Sequence, residues 1–271
     1  MSSSTRILLL GGHGKVALEL TPKLISRSWH VISVIRRQDQ VADILATVPN
    51  KRSNIETLIL NLEEVKSQQD AQEILDRTQP TWVVWSAGAG GNSTYERTLA
   101  IDRDACIFFI RAVITTPTIK KFLLISALSS RRSRAPWIED ECYSLIKRIN
   151  FEIIPTYYQA KLAADEVLTV LGKERNDDFR YISLRPGRLI DGPGVGKVSL
   201  GKTKAKGAVS RADVAEVAAK LLDKNEASGW LDLLDGEEDI DCAIERVLRE
   251  GIDCVEGEDL GVMRANVEKL R

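Results

Sequence analysis

Short apolar runs alternate with longer amphipathic stretches along this chain. The segments 5–10 (TRILLL), 30–35 (HVISVI), 55–60 (IETLIL), 81–87 (TWVVWSA) and 120–127 (KKFLLISA) are nearly continuous in apolar residues. A parallel strand covered on both faces shows that pattern. Between them, helix-period stretches run over Gly14 to Arg27, Asp39 to Ala46, Glu63 to Arg77 and Tyr95 to Thr115. Strand, helix, strand at this spacing predicts βαβ units and a doubly wound sheet. Further on, the pattern predicts a helix over Pro155 to Leu171, a strand over 179–187 ending at Arg185-Pro186, a capped helix from Ser210 and a late strand over 229–236. Gly192 to Gly207 reads as a loop by composition, and Pro22 predicts a kink or an early end to the first helix.

The fold class is therefore α/β, a mostly parallel Rossmann sheet with helices on both faces. No repeat or linker divides the chain, so residues 1–250 are expected to form one domain, with substrate-side elements from 130–150 and 186–250. Residues 251–271 read as a C-terminal appendage.

Charge and composition narrow the chemistry. Lys and Arg number 38 against 39 Asp and Glu in 271 residues, so no global charge field marks a nucleic-acid or membrane-surface partner. No stretch of eighteen apolar residues and no signal-peptide pattern occurs, which predicts a soluble cytoplasmic protein. Cys106, Cys142, Cys242 and Cys254 form no CxxC pair, and His13 and His30 are the two histidines. Neither a metal site nor a Ser-His-Asp hydrolase is expected.

The stretch LLLGGHGKVALEL (8–20) ends an apolar run in three glycines out of four residues, then turns helical without a capping side chain. Gly11, Gly14 and Ala17 form GxxGxxA at a strand-to-helix turn. Glycine permits the tight turn and close approach of a ligand, and a small residue lets the helix pack near the sheet. A bound pyrophosphate supplies the missing cap. Gly12 and Val16 belong to the same nucleotide-binding set. A tight turn that binds nothing is the alternative for this motif taken alone.

The tip of the second strand carries Arg36 and Arg37 where an NAD site places a carboxylate. Guanidinium groups suit a 2′-phosphate, with His13 or Lys15 assisting. NADP(H) is the expected cofactor, and Asp39 keeps NAD(H) open. Asn61 and Leu62 fall where an adenine edge would lie. Ala87, Gly88 and Ala89, within the small-residue run Ser86 to Gly91, let backbone run close to a ribose.

Tyr157 and Lys161 stand four residues apart on one helix face. An ammonium beside a phenol favours the phenolate and moves its pKa toward useful range, fitting Tyr157 for proton transfer to a carbonyl or hydroxyl. Tyr158 is an alternative phenol, and Asp165 an alternative partner for Lys161. Ser126 or Ser129, after the fifth strand, offers a hydroxyl to a substrate oxygen.

Taken in order, the glycine loop, SAGAG (86–90), LISALSS (124–130), YYQAK (157–161) and LRPGRLIDGPG (184–194) resemble the short-chain dehydrogenase/reductase superfamily. They are most similar to its atypical, epimerase/dehydratase-like branch. The resemblance spans about Thr5 to Gly236. It implies a pyrophosphate site at Gly11 and Gly14, an NADP marker at Arg36 and a catalytic pair in Tyr157 and Lys161. It also implies that Arg185-Pro186-Gly187 lies beside the nicotinamide and substrate. The chain departs from the pattern in Ala17, in Asn61-Leu62 for Asp-Leu, and in its unassigned serine. Two functions stay open: a reductase or epimerase-like enzyme on a small carbonyl or hydroxyl compound, and an NADP(H)-sensing regulatory protein with weak or no turnover. Substrate and oligomeric state are not legible.

Overall fold

A computed structural model describes residues 5–91, 93–175 and 178–270. The first half follows the expected alternation: β1 (Arg6–Leu10), α1 (Lys15–Ser26), β2 (His30–Ile35), a short α2 (Val41–Ala46), β3 (Ile55–Ile59), α3 (Gln68–Thr78) and β4 (Trp82–Trp85). A long helical run comes next, made of α4 (Tyr95–Thr98), a π-helical stretch Leu99–Ala105 and α5 (Cys106–Ile114), and leads to β5 (Lys121–Ile125). The helix α6 (Asp140–Arg148) and a second π-helical stretch, Ile149–Ile153, precede α7 (Pro155–Glu174) and β6 (Arg180–Pro186). The remainder comprises β7 (Arg188–Ile190), β8 (Lys197–Gly201), β9 (Ala208–Ser210), α8 (Arg211–Asp223), β10 (Gly229–Asp235), β11 (Glu238–Asp239), α9 (Ile240–Arg249) and α10 (Leu260–Lys269).

Among the described residues, nine strands form one sheet in the order β11-β8-β10-β6-β5-β4-β1-β2-β3. β1 pairs in parallel with β2 on one side and with β4 on the other, Leu8 lying opposite Ile32 and Val83. The chain order therefore reverses at β1, and the crevice outside the strand ends at that point is where open α/β sheets bind ligands. β1 is apolar from Ile7 to Leu10 because both of its faces are covered there. Ile7 and Leu9 join one core layer under α1 and α8, and Leu8 and Leu10 join the other under α3, α5 and α7. Alternation of side chains across a strand produces this division.

The structure differs from the sequence expectations in several places. Part of the segment read as a loop, 197–201, is the strand β8, which pairs antiparallel with β10 and buries Val198 and Leu200. Its alternating apolar residues are masked by the surrounding glycines and lysines. Pro22 does not end α1, which runs to Ser26. The α8 cap is as expected: the Ser210 hydroxyl accepts from the Asp213 amide at 2.9 Å. Residues 251–270 pack back onto the sheet domain. Met263 and Val267 of α10 are buried against the α7 side, and the Cys254 amide donates to the Trp230 carbonyl at 2.8 Å. No helix of the described residues is long and apolar enough to cross a membrane.

Candidate active site

The glycine loop is built by steric necessity. Gly11 has φ +81°, and a Cβ there would stand 2.5 Å from Ala87 Cα. A Cβ on Gly12 would run into the Ser33 hydroxyl. The turn is closed by the Gly14 amide on the Gly11 carbonyl and by the Gly12 amide on the Val34 carbonyl, both at 2.8 Å. Gly14 caps α1 with no side-chain hydrogen bond, and the first turn of the helix holds no acidic residue. The first-turn amides and the positive helix end are thus left without an anionic side chain of the protein.

Two cavities meet at this turn, sharing Gly14, Ser86, Ala87 and Gly88. The smaller, of about 290 Å³, extends to the tip of β2 and is lined by Gly11, His13, Arg36, Asn61, Leu62 and Ala89 among others. Arg36 borders it with its side chain 41 % exposed and its guanidinium 4.0 Å from Glu63. Arg37 turns to solvent and holds Asp39 at 3.0 Å. Gln40 organises the corner: its carbonyl accepts from the amides of Arg36 and Arg37, and its amide group meets His13 Nδ1 at 3.1 Å. His13 Nε2 faces Asp43 at 2.8 Å. Asn61 is occupied locally, capping the short turn after β3 through the Glu63 amide.

The larger cavity, of about 630 Å³, contains the expected chemistry. Tyr157, Lys161, Ser126, Lys15 and Val16 line it, together with Asp102 and Arg211. Lys161 Nζ lies 3.2 Å from Asp102 Oδ1, and it donates to the Ile125 carbonyl at 3.2 Å. Burial by itself pulls the Lys161 ammonium down, but Asp102, with Tyr157, more than restores it, so that it sits above the ordinary lysine value. Its charge stands 5.7 Å from the centre of the Tyr157 ring. The net effect on the phenol corrects the sequence expectation. Burial pushes Tyr157 up, Lys161 pulls it down, and Asp102 and Asp165 push it up again, leaving it above its ordinary value. Desolvation of the anion outweighs a cation already matched by a carboxylate.

Other expected residues occupy different places. Ser126 donates to Asp165 at 2.5 Å, while Ser129 lies in the following turn, where its carbonyl accepts from Asn150 at 2.7 Å. Lys161 takes Asp102 as its ion partner, and Asp165 pairs instead with Arg185 at 2.8 Å. The assignment of the Arg185 side chain to the nucleotide is corrected. It is wholly buried, bound to Asp165 and Asp232 and to the carbonyls of Leu128 and Ser130. Its five donors are turned inward, away from the crevice. Pro186 ends β6, and Gly187 packs against Gly207 and Leu234. From the strand that follows, Leu189 does reach the larger cavity. Lys15 reaches Asp191 at 2.7 Å, a carboxylate also held by Arg211 at 2.6 Å.

Sequence reasoning missed Asp102, Arg97 and Arg211 as lining residues. Asp102 sits within the π-helical stretch, a local unwinding frequent at functional sites, and its other oxygen accepts from the Ala89 amide at 2.8 Å. An acid beside Ile101 on the otherwise apolar side of the fourth expected helix was the available signal.

A family model described as NAD(P)H-binding matches residues 11–225. The chain is 31% identical over 252 residues to the UPF0659 protein C216.03 of Schizosaccharomyces pombe, covering 91% of this chain and 96% of that one. It is 29% identical over 245 residues to the Bacillus subtilis protein named uncharacterized sugar epimerase YhfK, covering 89% of this chain and all of the other. Among solved structures, a putative NAD-dependent epimerase/dehydratase from Bacillus halodurans superposes with a TM-score of 0.71 at 23% identity. That match covers 90% of this chain and 100% of the other.

Proposed function

The chain belongs to the NAD(P)H-binding family, and on that premise we propose that it is an NADP(H)-dependent reductase of a small carbonyl compound. The observation that carries the reading is the joining of two cavities at one glycine turn. One is bordered by Arg36, and the other by Tyr157 over the Lys161–Asp102 pair.

The residues present fit such a nucleotide. The uncapped amides of α1 suit its pyrophosphate, and the close approach of Gly11 and Gly14 to Ala87 and Ser86 clears backbone space. Arg36 carries the charge and fork geometry for a 2′-phosphate, while Arg37 is engaged by Asp39. A bound nicotinamide supplies the two-electron redox change at the substrate carbon.

The chain's own part is proton transfer. A phenol held above its ordinary pKa keeps its proton at neutral pH, which suits Tyr157 to donate to a carbonyl oxygen as negative charge develops there. Lys161, kept charged by Asp102, stabilises the phenolate left behind. Ile153, Ile154 and Pro155, at the head of α7, line the cavity beside Tyr157 and give it an exposed apolar rim.

The test is NADPH oxidation over a panel of small aldehydes and ketones, with Tyr157→Phe beside the wild type. We expect Tyr157→Phe to lower kcat by at least ~10²-fold while nucleotide affinity stays within about twofold. Unchanged turnover in the variant would reject the assignment.

A further inference from the structure

Ser126 lines the larger cavity at the end of β5 and is 3% exposed. Its hydroxyl donates to Asp165 Oδ2 at 2.5 Å. Asp165 lies one helical turn beyond Lys161 on α7 and is fully buried. The same carboxylate also accepts from the Ser183 hydroxyl at 2.6 Å and from Arg185 Nη1 at 2.8 Å. A guanidinium has no acceptor and does not deprotonate, so its neighbour is held as an acceptor-only carboxylate. Arg185 is itself locked by Asp232 at 2.9 Å and by two carbonyls; burial pushes Asp165 up, and Arg185 with the two serine hydroxyls opposes it in favour of the carboxylate. A serine has one proton. With that proton committed to Asp165, Ser126 presents lone pairs to the cavity.

We propose that Asp165 is a positioning residue that sets Ser126 as a hydrogen-bond acceptor, and that the site selects α-hydroxy carbonyl compounds. The inference rests on the reading of Tyr157 as the acid–base group. Tyr157 donates to the reacting carbonyl oxygen, and the hydroxyl on the adjacent carbon donates to Ser126. A methyl group in that place leaves the lone pairs of a buried serine unmet, the kind of mismatch that sites built around a hydroxyl reject most strongly. The arrangement also reverses the role expected for this serine from sequence, where its hydroxyl was to donate to a substrate oxygen.

The pair hydroxyacetone and butanone isolates the effect, since the two ketones differ by a hydroxyl in place of a methyl. Their affinities for the full chain saturated with NADP⁺ are measured by ligand-observed NMR titration, which needs no turnover. We expect hydroxyacetone to bind at least about tenfold tighter than butanone. Ser126→Ala should erase that ratio by weakening hydroxyacetone alone. Asp165→Ala, which removes the acceptor and frees the Ser126 proton for the cavity, should also erase or invert the ratio, whereas a merely structural loss would weaken both ketones alike. Should Asp165→Ala fail to fold, Ser126→Ala decides. Equal binding of the two ketones, binding of neither, or a ratio preserved in Ser126→Ala would overturn the proposal. Absence of NADPH turnover with selective binding intact would instead overturn the acid–base reading alone.

Discussion

Lys161 and Asp102 form an ion pair at 3.2 Å with side chains 4% and 1% exposed, in the wall of the cavity that also holds Tyr157. Neither residue can change its charge without leaving the other unmatched in a desolvated place. The pair couples the helical run that begins with α4 to α7, and through Ala89 it also fixes the loop after β4. One carboxylate thereby sets the charge beside the phenol and the backbone bordering the smaller cavity.

Removing that carboxylate should therefore affect both stability and chemistry. Asp102→Ala strands a buried ammonium and the Ala89 amide, and the loss is expected to be about 3–5 kcal/mol of unfolding free energy. Chemical denaturation measures it. A loss below about 1 kcal/mol would show that the pair is solvated and that Lys161 does not depend on Asp102 for its charge.

Gly11→Ala imposes a Cβ on a backbone at φ +81° and drives it against Ala87. Strain of this kind costs about 1–3 kcal/mol, and moving Ala87 also disturbs the junction of the two cavities. We expect a lower thermal midpoint together with loss of NADPH binding by calorimetry. A variant that binds NADPH as the wild type does would remove the glycine turn from the site.

Arg36 and Arg37 are adjacent in sequence and unequal in structure. Arg36→Ala should weaken NADPH by roughly tenfold or more and leave NADH nearly unchanged, because a charge-assisted bidentate contact is lost. Arg37→Ala should change neither by more than about twofold, since that guanidinium is exposed and bound to Asp39. Equal losses for both nucleotides in Arg36→Ala would detach this residue from 2′-phosphate recognition.

The β1 run, the glycine turn and the Tyr157–Lys161 spacing were legible because each is a local pattern: continuous apolarity, residues without Cβ, one helical turn. The partners of those residues were not. Asp102 meets Lys161 only through packing of α7 on the helical run before β5, and nothing in the local sequence of either names the other. Arg185 stood beside a proline and glycine that resembled a site loop, yet Asp232, set among the apolar residues of β10, marks a buried partner. β8 escaped because its two buried apolar side chains, Val198 and Leu200, lie within a composition that reads as turn. Choosing between Arg36 and Arg37 required seeing which side chain Asp39 takes.

Lys121 gives a pH prediction with a fixed sign. Burial is the main cause that pulls its ammonium down to about 8, although it donates to the carbonyls of Leu222 and Lys224 at 2.6 and 3.0 Å and lies over Trp82. A base whose pKa is depressed on folding contributes stability that is present above the unfolded value, about 10.4, and is lost as pH falls through the folded value of about 8. Wild-type stability relative to Lys121→Met should therefore rise between about pH 8 and 10.4 and be flat below about 7. Paired urea titrations across that range measure it. A difference independent of pH would mean that the amine is as freely solvated as in the unfolded chain.

The central claim is that a dinucleotide diphosphate lies on the amino end of α1, with its 2′-phosphate toward Arg36. Thermal unfolding with NADPH and, separately, with NADH tests it most directly. A ligand at a hundred times its dissociation constant stabilises by about 2.7 kcal/mol, so a clear upward shift is expected with NADPH, and a smaller one with NADH at equal concentration. No shift with either nucleotide would contradict the account.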